Sequence, residues 1–241
     1  MMKKKLLVII VIFSIFIIGM KHNIYAYETV DKQTILELSE FNDLKVNISE
    51  RPNITVENMS SNNYNILDYV DTGGHLRREI SFKNVSNGNK LSAVVNVLFS
   101  ECATLNGKSV DIKFVYSDII PLSTSDSNTS SLTFAAYGTN QNTGNEWTYS
   151  YIESVKVKVY FYYHGENDPI QIDNGYISIF SQDGDEAVRS DNYYKAYLTQ
   201  NTTIQHFDTY PSDKTSYSYS DVYRGSADGN SSTNGDGGTC F

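Results

Sequence analysis

The residue types able to do chemistry in this 241-residue chain are few and scattered. The four histidines, His22, His75, His164 and His206, form no His-x-x-x-His pair, and Cys102 and Cys240 form no Cys-x-x-Cys. A structural zinc site or a zincin-type centre therefore lacks its ligands. There is no Gly-x-Ser-x-Gly elbow, P-loop or Gly-x-Gly-x-x-Gly run, so the usual signatures of a serine hydrolase and of a nucleotide-binding loop are missing. A carboxylate pair of the glycosidase kind can arise from any part of a fold. Among 28 acidic residues no such pair stands out, and the chain is expected to be non-catalytic.

Two segments carry candidate binding chemistry. Asp183-Gly184-Asp185-Glu186 crowds carboxylates onto a glycine-containing turn, and calcium accepts many oxygen ligands in irregular geometry. Asp183, Asp185 and Glu186 are thus the candidate calcium ligands, although their spacing is not that of an EF-hand. The alternative is a solvated acidic turn, its Asp and Gly chosen for backbone conformation. Trp147, Tyr149 and Tyr151 stand at alternate positions, where rings on one strand face can stack on a sugar while Asn and Asp bond its hydroxyls. The same alternation also suits rings buried in a core.

The elements that must position these residues read as strands. Runs of alternating character fall at 78–85, 91–99, 110–116, 131–136, 154–163, 175–181 and 193–199, and helical periodicity is almost absent. The clearest run sets Val155, Val157, Val159, Phe161 and Tyr163 against Lys156, Lys158, Tyr160 and Tyr162, the period-2 pattern of a half-buried antiparallel strand. Several such strands separated by turns predict an all-β fold, an antiparallel β-sandwich of jelly-roll or lectin-like form.

The expected organisation has four parts. Lys3, Lys4 and Lys5, the apolar run from Leu6 to Met20 and the small residue Ala26 read as a signal peptide over 1–26, cleaved before Tyr27. That apolar run is shorter than the roughly 20 residues a spanning helix needs. Residues 27–70 are polar with short alternating pieces, an N-terminal extension or edge strands. Gly73-Gly74 marks a turn, residues 71–208 form the sandwich, and the Ser/Tyr/Gly/Asp-rich stretch 209–241 is expected to be a flexible tail.

Charge narrows the partners. Removing the four lysines of residues 1–26, which contain no acid, takes the net charge from −9 to −13. Nucleic acid and anionic membrane surfaces reward Lys and Arg, so neither nucleic-acid binding nor membrane insertion is expected. Tyr occurs 19 times amid abundant Asn and Ser. That mixture supplies rigid ring surface and small hydrogen-bonding groups for recognition, and it also suits exposed strand positions. Two cysteines cannot form a disulfide framework, so stability must come from a core, with Cys102 and Cys240 expected as free thiols and a bridge between them or to another chain as the alternatives. Seven Asn-x-Ser/Thr sequons are incidental to an Asn- and Ser-rich composition.

The stretch from Trp147 to Val188 carries a resemblance. The run from Val155 to Tyr162, then His164-Gly165-Glu166, Gly175-Tyr176-Ile177 and Asp183-Gly184-Asp185-Glu186-Ala187-Val188, resembles modules of large Gram-positive cell-wall adhesins, in which such a strand precedes an acidic turn. The run 110–119 is similar to a preceding strand of those modules, so the resemblance spans roughly 75–200. Ser181-Gln182 departs from the family pattern, as does the lack of a Leu-Pro-x-Thr-Gly sorting signal.

The resemblance implies a lectin-like or adhesin-like surface domain without catalysis, with Asp183, Asp185 and Glu186 matching the acidic turn. The expectation is a secreted, extracellular or wall-associated module that binds a glycan or a host extracellular protein. The alternative is a structural stalk or cap of a longer wall protein. A β-rich toxin ranks lower, because 123–131 lacks the apolar half of a membrane-strand alternation.

Overall fold

A computed structural model describes residues 26–30, 44–85, 88–122, 129–136, 146–172, 177–180, 187–190, 195–199, 204–209, 220–225 and 238–240. In chain order its strands are β1 (Ala26–Val30), β2 (Lys45–Val46), β3 (Asn53–Glu57), β4 (Tyr64–Val70), β5 (Leu76–Phe82), β6 (Val94–Leu105), β7 (Lys108–Pro121), β8 (Ser131–Ala136), β9 (Glu146–Ser150), β10 (Ile152–Tyr163), β11 (Ser178–Phe180), β12 (Ala187–Val188), β13 (Lys195–Thr199), β14 (Gln205–Thr209), β15 (Ser220–Arg224) and β16 (Gly238–Cys240). One 3-10 turn, Ser61–Asn63, is the only helical element among the described residues. The all-β expectation holds.

The chain divides into two compact units, one made of residues 37–175 with 209–219, the other of 1–36, 176–208 and 220–241. The larger unit holds two antiparallel sheets. In one, β10, β7, β6 and β2 lie in that order, with β3 also paired to β6, and the other runs β4-β5-β8-β9. Alternate residues of both sheets meet in one core that includes Val95, Val97, Phe99, Val110, Ile112 and Tyr116 from β6 and β7, and Ile80, Phe82, Leu132 and Phe134 from β5 and β8. Each such side chain removed from water contributes about 1.5–3 kcal/mol. Rings of Phe114, Tyr116 and Phe134 follow one another at centroid distances of 6.4 and 5.3 Å.

Local sequence fixes two features of this sheet. Asn106 and Gly107 both have positive φ, 51° and 75°, and join β6 to β7 through the two-residue turn that matches strand twist. Between Phe99 and Ala103 the β6–β7 register shifts, and Glu101 takes φ 49° there, as at a β-bulge. Cys102, beside the bulge, is a buried free thiol that donates to the Phe99 carbonyl at 3.3 Å, and burial pushes its pKa up to about 12.

In the smaller unit β1 pairs with β13 in parallel, in the order β1-β13-β16-β11, beside a three-stranded sheet β12-β15-β14. Ala196, Leu198, Ile204 and Tyr223 form its buried cluster. Residues 27–70 contribute to both units, and the Ser/Tyr/Gly/Asp-rich stretch 209–241 contains β15 and β16. Val222 and Tyr223 are 3% and 0% exposed, and this apolar pair is what anchors β15 in an otherwise polar stretch.

Candidate functional site

The candidate site is the outward face of the sheet built on β10, β7, β6 and β3. Val155, Val157, Val159, Phe161 and Tyr163 pack against the core, so the pleat sends Lys156, Lys158, Tyr160 and Tyr162 to the other side. Antiparallel register continues that face across the sheet. Tyr162 lies opposite Asp111, Tyr160 opposite Lys113, Lys158 opposite Val115 and Lys156 opposite Ser117. Beyond them Lys113 faces Leu98 and Val115 faces Asn96, and β3 adds Asn53 and Thr55.

Lys156 and Lys158 are exposed, and Tyr160, Tyr162 and Lys113 are half-buried. The Tyr160 and Tyr162 rings stand 6.5 Å apart, inclined by 35°. Asn96 Nδ2 donates to Glu57 Oε1 at 2.8 Å. Asn96 is itself buried, so the groups this face offers are two rings and ammonium donors, which can stack on and hydrogen-bond a polyhydroxylated ligand.

One end of this face is closed by an ionic corner. The His164 amide donates to the Ser109 carbonyl at 2.9 Å, which places the ring beside β7. Nδ1 lies 3.0 and 3.2 Å from the two Asp111 carboxylate oxygens, and Nε2 lies 3.5 Å from Glu101 Oε1. The bulge turns the Glu101 amide to donate to Asp111 Oδ1 at 2.6 Å. The hydrogen bond to Asp111, helped by both carboxylate charges, raises the His164 pKa. With a carboxylate at each ring nitrogen, the arrangement favours an imidazolium.

A second polar cluster lies at the β4–β5 turn. Asp71 Oδ1 accepts from the Gly73 and His75 amides, both at 2.9 Å, while Oδ2 accepts from Arg77 Nε at 2.7 Å and meets His75 Nδ1 at 2.9 Å. The His75 amide first, then the His75 and Arg77 side chains, hold the Asp71 carboxyl well below its usual range. Arg51 donates to the carbonyls of the cross-strand pair Tyr69 and Arg77, each at 2.9 Å. Arg78 grips Asp68 through two bonds of 2.6 and 2.7 Å and reaches the Pro52 carbonyl at 2.6 Å. These bonds tie the turn to the segment before β3, which is a structural use of the charges.

Of the sequence-predicted aromatic set, Tyr151 does not continue the alternation of β9. Trp147 lies opposite Phe134 and Tyr149 opposite Leu132, both partners being fully buried. Tyr149 is packed against the core, and the Trp147 side chain is outside the described residues. Tyr151 leaves the strand with φ 51° and is 40% exposed. Its carbonyl accepts from the Leu122 amide at 2.9 Å and Ser130 Oγ at 2.7 Å. A left-handed residue between β9 and β10 breaks the alternation that would have aligned the three.

Asp183, Asp185 and Glu186 lie outside the described residues. Among the described residues no group of three or more His, Cys, Asp or Glu gathers as a metal site, and no helix is long and apolar enough to cross a membrane. Sequence reasoning separated Lys156, Lys158, Tyr160 and Tyr162 as a polar face. It missed Lys113, Asp111 and His164, which only strand register brings beside them. Comparison with models of known families, with known proteins and with solved structures gives no match.

Proposed function

We propose that this chain is a secreted or surface-associated, adhesin-type binding module with a β-sandwich as its larger unit, and that it recognises a glycan through the outward face bearing Tyr160 and Tyr162. The observation that carries the reading is the composition of that face. Two neighbouring rings and a row of lysines stand on the polar side of a sheet whose other side is committed to the core. Rings that present a flat apolar body with a polar tip are what a sugar surface requires. Basic residues, the apolar run and Ala26 at the N-terminus support export.

The test is binding of the purified chain to an array of glycans and extracellular-matrix proteins, with calcium and with chelator. Saturable glycan binding supports the reading, and matrix-protein binding alone replaces the ligand class. Loss with chelator shows calcium dependence and points to Asp183, Asp185 and Glu186. A silent array from a cooperatively folded sample contradicts the reading.

The structural stalk or cap has one observation in its favour. β4 is an edge strand, and Ile66, Leu67 and Val70 on it are 39, 53 and 57% exposed. It contains neither Lys nor Pro, the residues that commonly protect such an edge. An edge of this kind suits assembly with another strand.

A further inference from the structure

We infer that the glycan taken by the Tyr160 face is anionic, carrying sulfate or carboxylate groups; the inference rests on the binding reading above and names its ligand class. The chain is acidic, with a net charge of −9, yet this face concentrates lysines. Tyr160 has Lys113 directly across on β7 and Lys158 two residues before it on β10, while Lys156 extends the row. Lys113 and Lys158 are diagonal neighbours, about 7 Å apart at the backbone, and like charges at such spacing disfavour one another. An anion between them relieves that repulsion.

The acids of the same face are already engaged at its margins. Asp111 holds His164 at the Tyr162 end, and Glu57 accepts from Asn96 on the β3 side. Between them the register places Ser117, Val115, Leu98 and Asn96, none of them acidic. At physiological ionic strength charges are screened over about 8 Å, so a ligand on this face responds to the nearby ammonium groups more than to the distant acidic surface. A sugar ring stacked on Tyr160 has an ammonium on either side for its acidic substituents, and charge-assisted hydrogen bonds are the stronger kind. A neutral sugar leaves those ammonium groups without that gain.

The test titrates the full chain with dextran sulfate, polygalacturonate and neutral dextran, each at low and high sodium chloride, and repeats it with the double variant Lys113→Gln/Lys158→Gln. Saturable binding of either polyanion is expected, with neutral dextran silent. The double variant should bind at least about tenfold more weakly at an unchanged melting temperature. The two polyanion arms separate sulfate from carboxylate. Equal binding of neutral dextran, or undiminished polyanion binding by the double variant, overturns the anionic assignment and leaves the glycan reading standing. If no dextran, polyanion or arrayed glycan binds the folded chain, both fall.

Discussion

Asp111 on β7 accepts a hydrogen bond at 3.0 Å from the ring of His164, 53 residues away in sequence, at the end of β10. Because that bond raises the His164 pKa above its ordinary 6.5, the interaction adds stability only while the ring is protonated in the fold. The contribution is complete below pH 6.5, and is lost as pH rises through the raised folded-state value. Nuclear magnetic resonance titration should show His164 above 6.5 in the native chain and returned toward it in Asp111→Asn. The melting temperature of the variant should also lose part of its fall across that window.

Asp71 titrates in the opposite direction. Its folded pKa is depressed below the ordinary 3.8, so its stabilisation is present above pH 3.8 and is lost as pH falls toward the folded value. Asp71→Asn should lower the melting temperature at pH 7 and flatten the acid limb of the stability curve. Gly73→Ala should act on the same turn, since its Cβ would come within 2.7 Å of His75 Cε1 and push that ring from Asp71.

Core and face should separate under mutation. Phe134 is fully buried, and Phe134→Ala is expected to cost about 3–5 kcal/mol in urea unfolding. Lys158 is exposed, and Lys158→Gln should stay within about 0.5 kcal/mol of the parent. A Lys158 variant as damaging as the Phe134 variant would mean that the face is part of the packing.

Export makes its own prediction. Chain recovered from the medium of an expressing bacterium should have the mass of a product starting at Tyr27. A product retaining Met1 would contradict the expected cleavage.

How much of this was legible depended on how local the cause was. The faces of β10 could be read because Val155 to Tyr163 alternate without interruption, and β8 because Ser131–Ala136 is one short run. The bulge at Glu101 hid the true length of β6, since it sets three residues against one between the pairs Phe99–Ile112 and Ala103–Val110 and interrupts the alternation with the exposed pair Ser100-Glu101. β4 escaped notice because Ile66 and Leu67 are adjacent and both exposed, so no face stands out. The pairing of β1 with β13, with Ala26 beside Lys195, and the meeting of Arg51 with Tyr69 and Arg77 depend on register between distant segments. No local pattern encodes them. Nor does sequence show the left-handed backbone of Tyr151, which takes it out of the alternation of Trp147 and Tyr149.

Recognition through Tyr160 and Tyr162 is decided by comparing the parent chain with Tyr160→Ser/Tyr162→Ser on one glycan array at matched folded concentration. Saturable binding by the parent and loss of about tenfold or more in the variant is the predicted result, since ring stacking contributes on the order of 1–3 kcal/mol per ring by alanine substitution in other stacked ligands. Equal binding by the two proteins would contradict it and move recognition elsewhere on the chain.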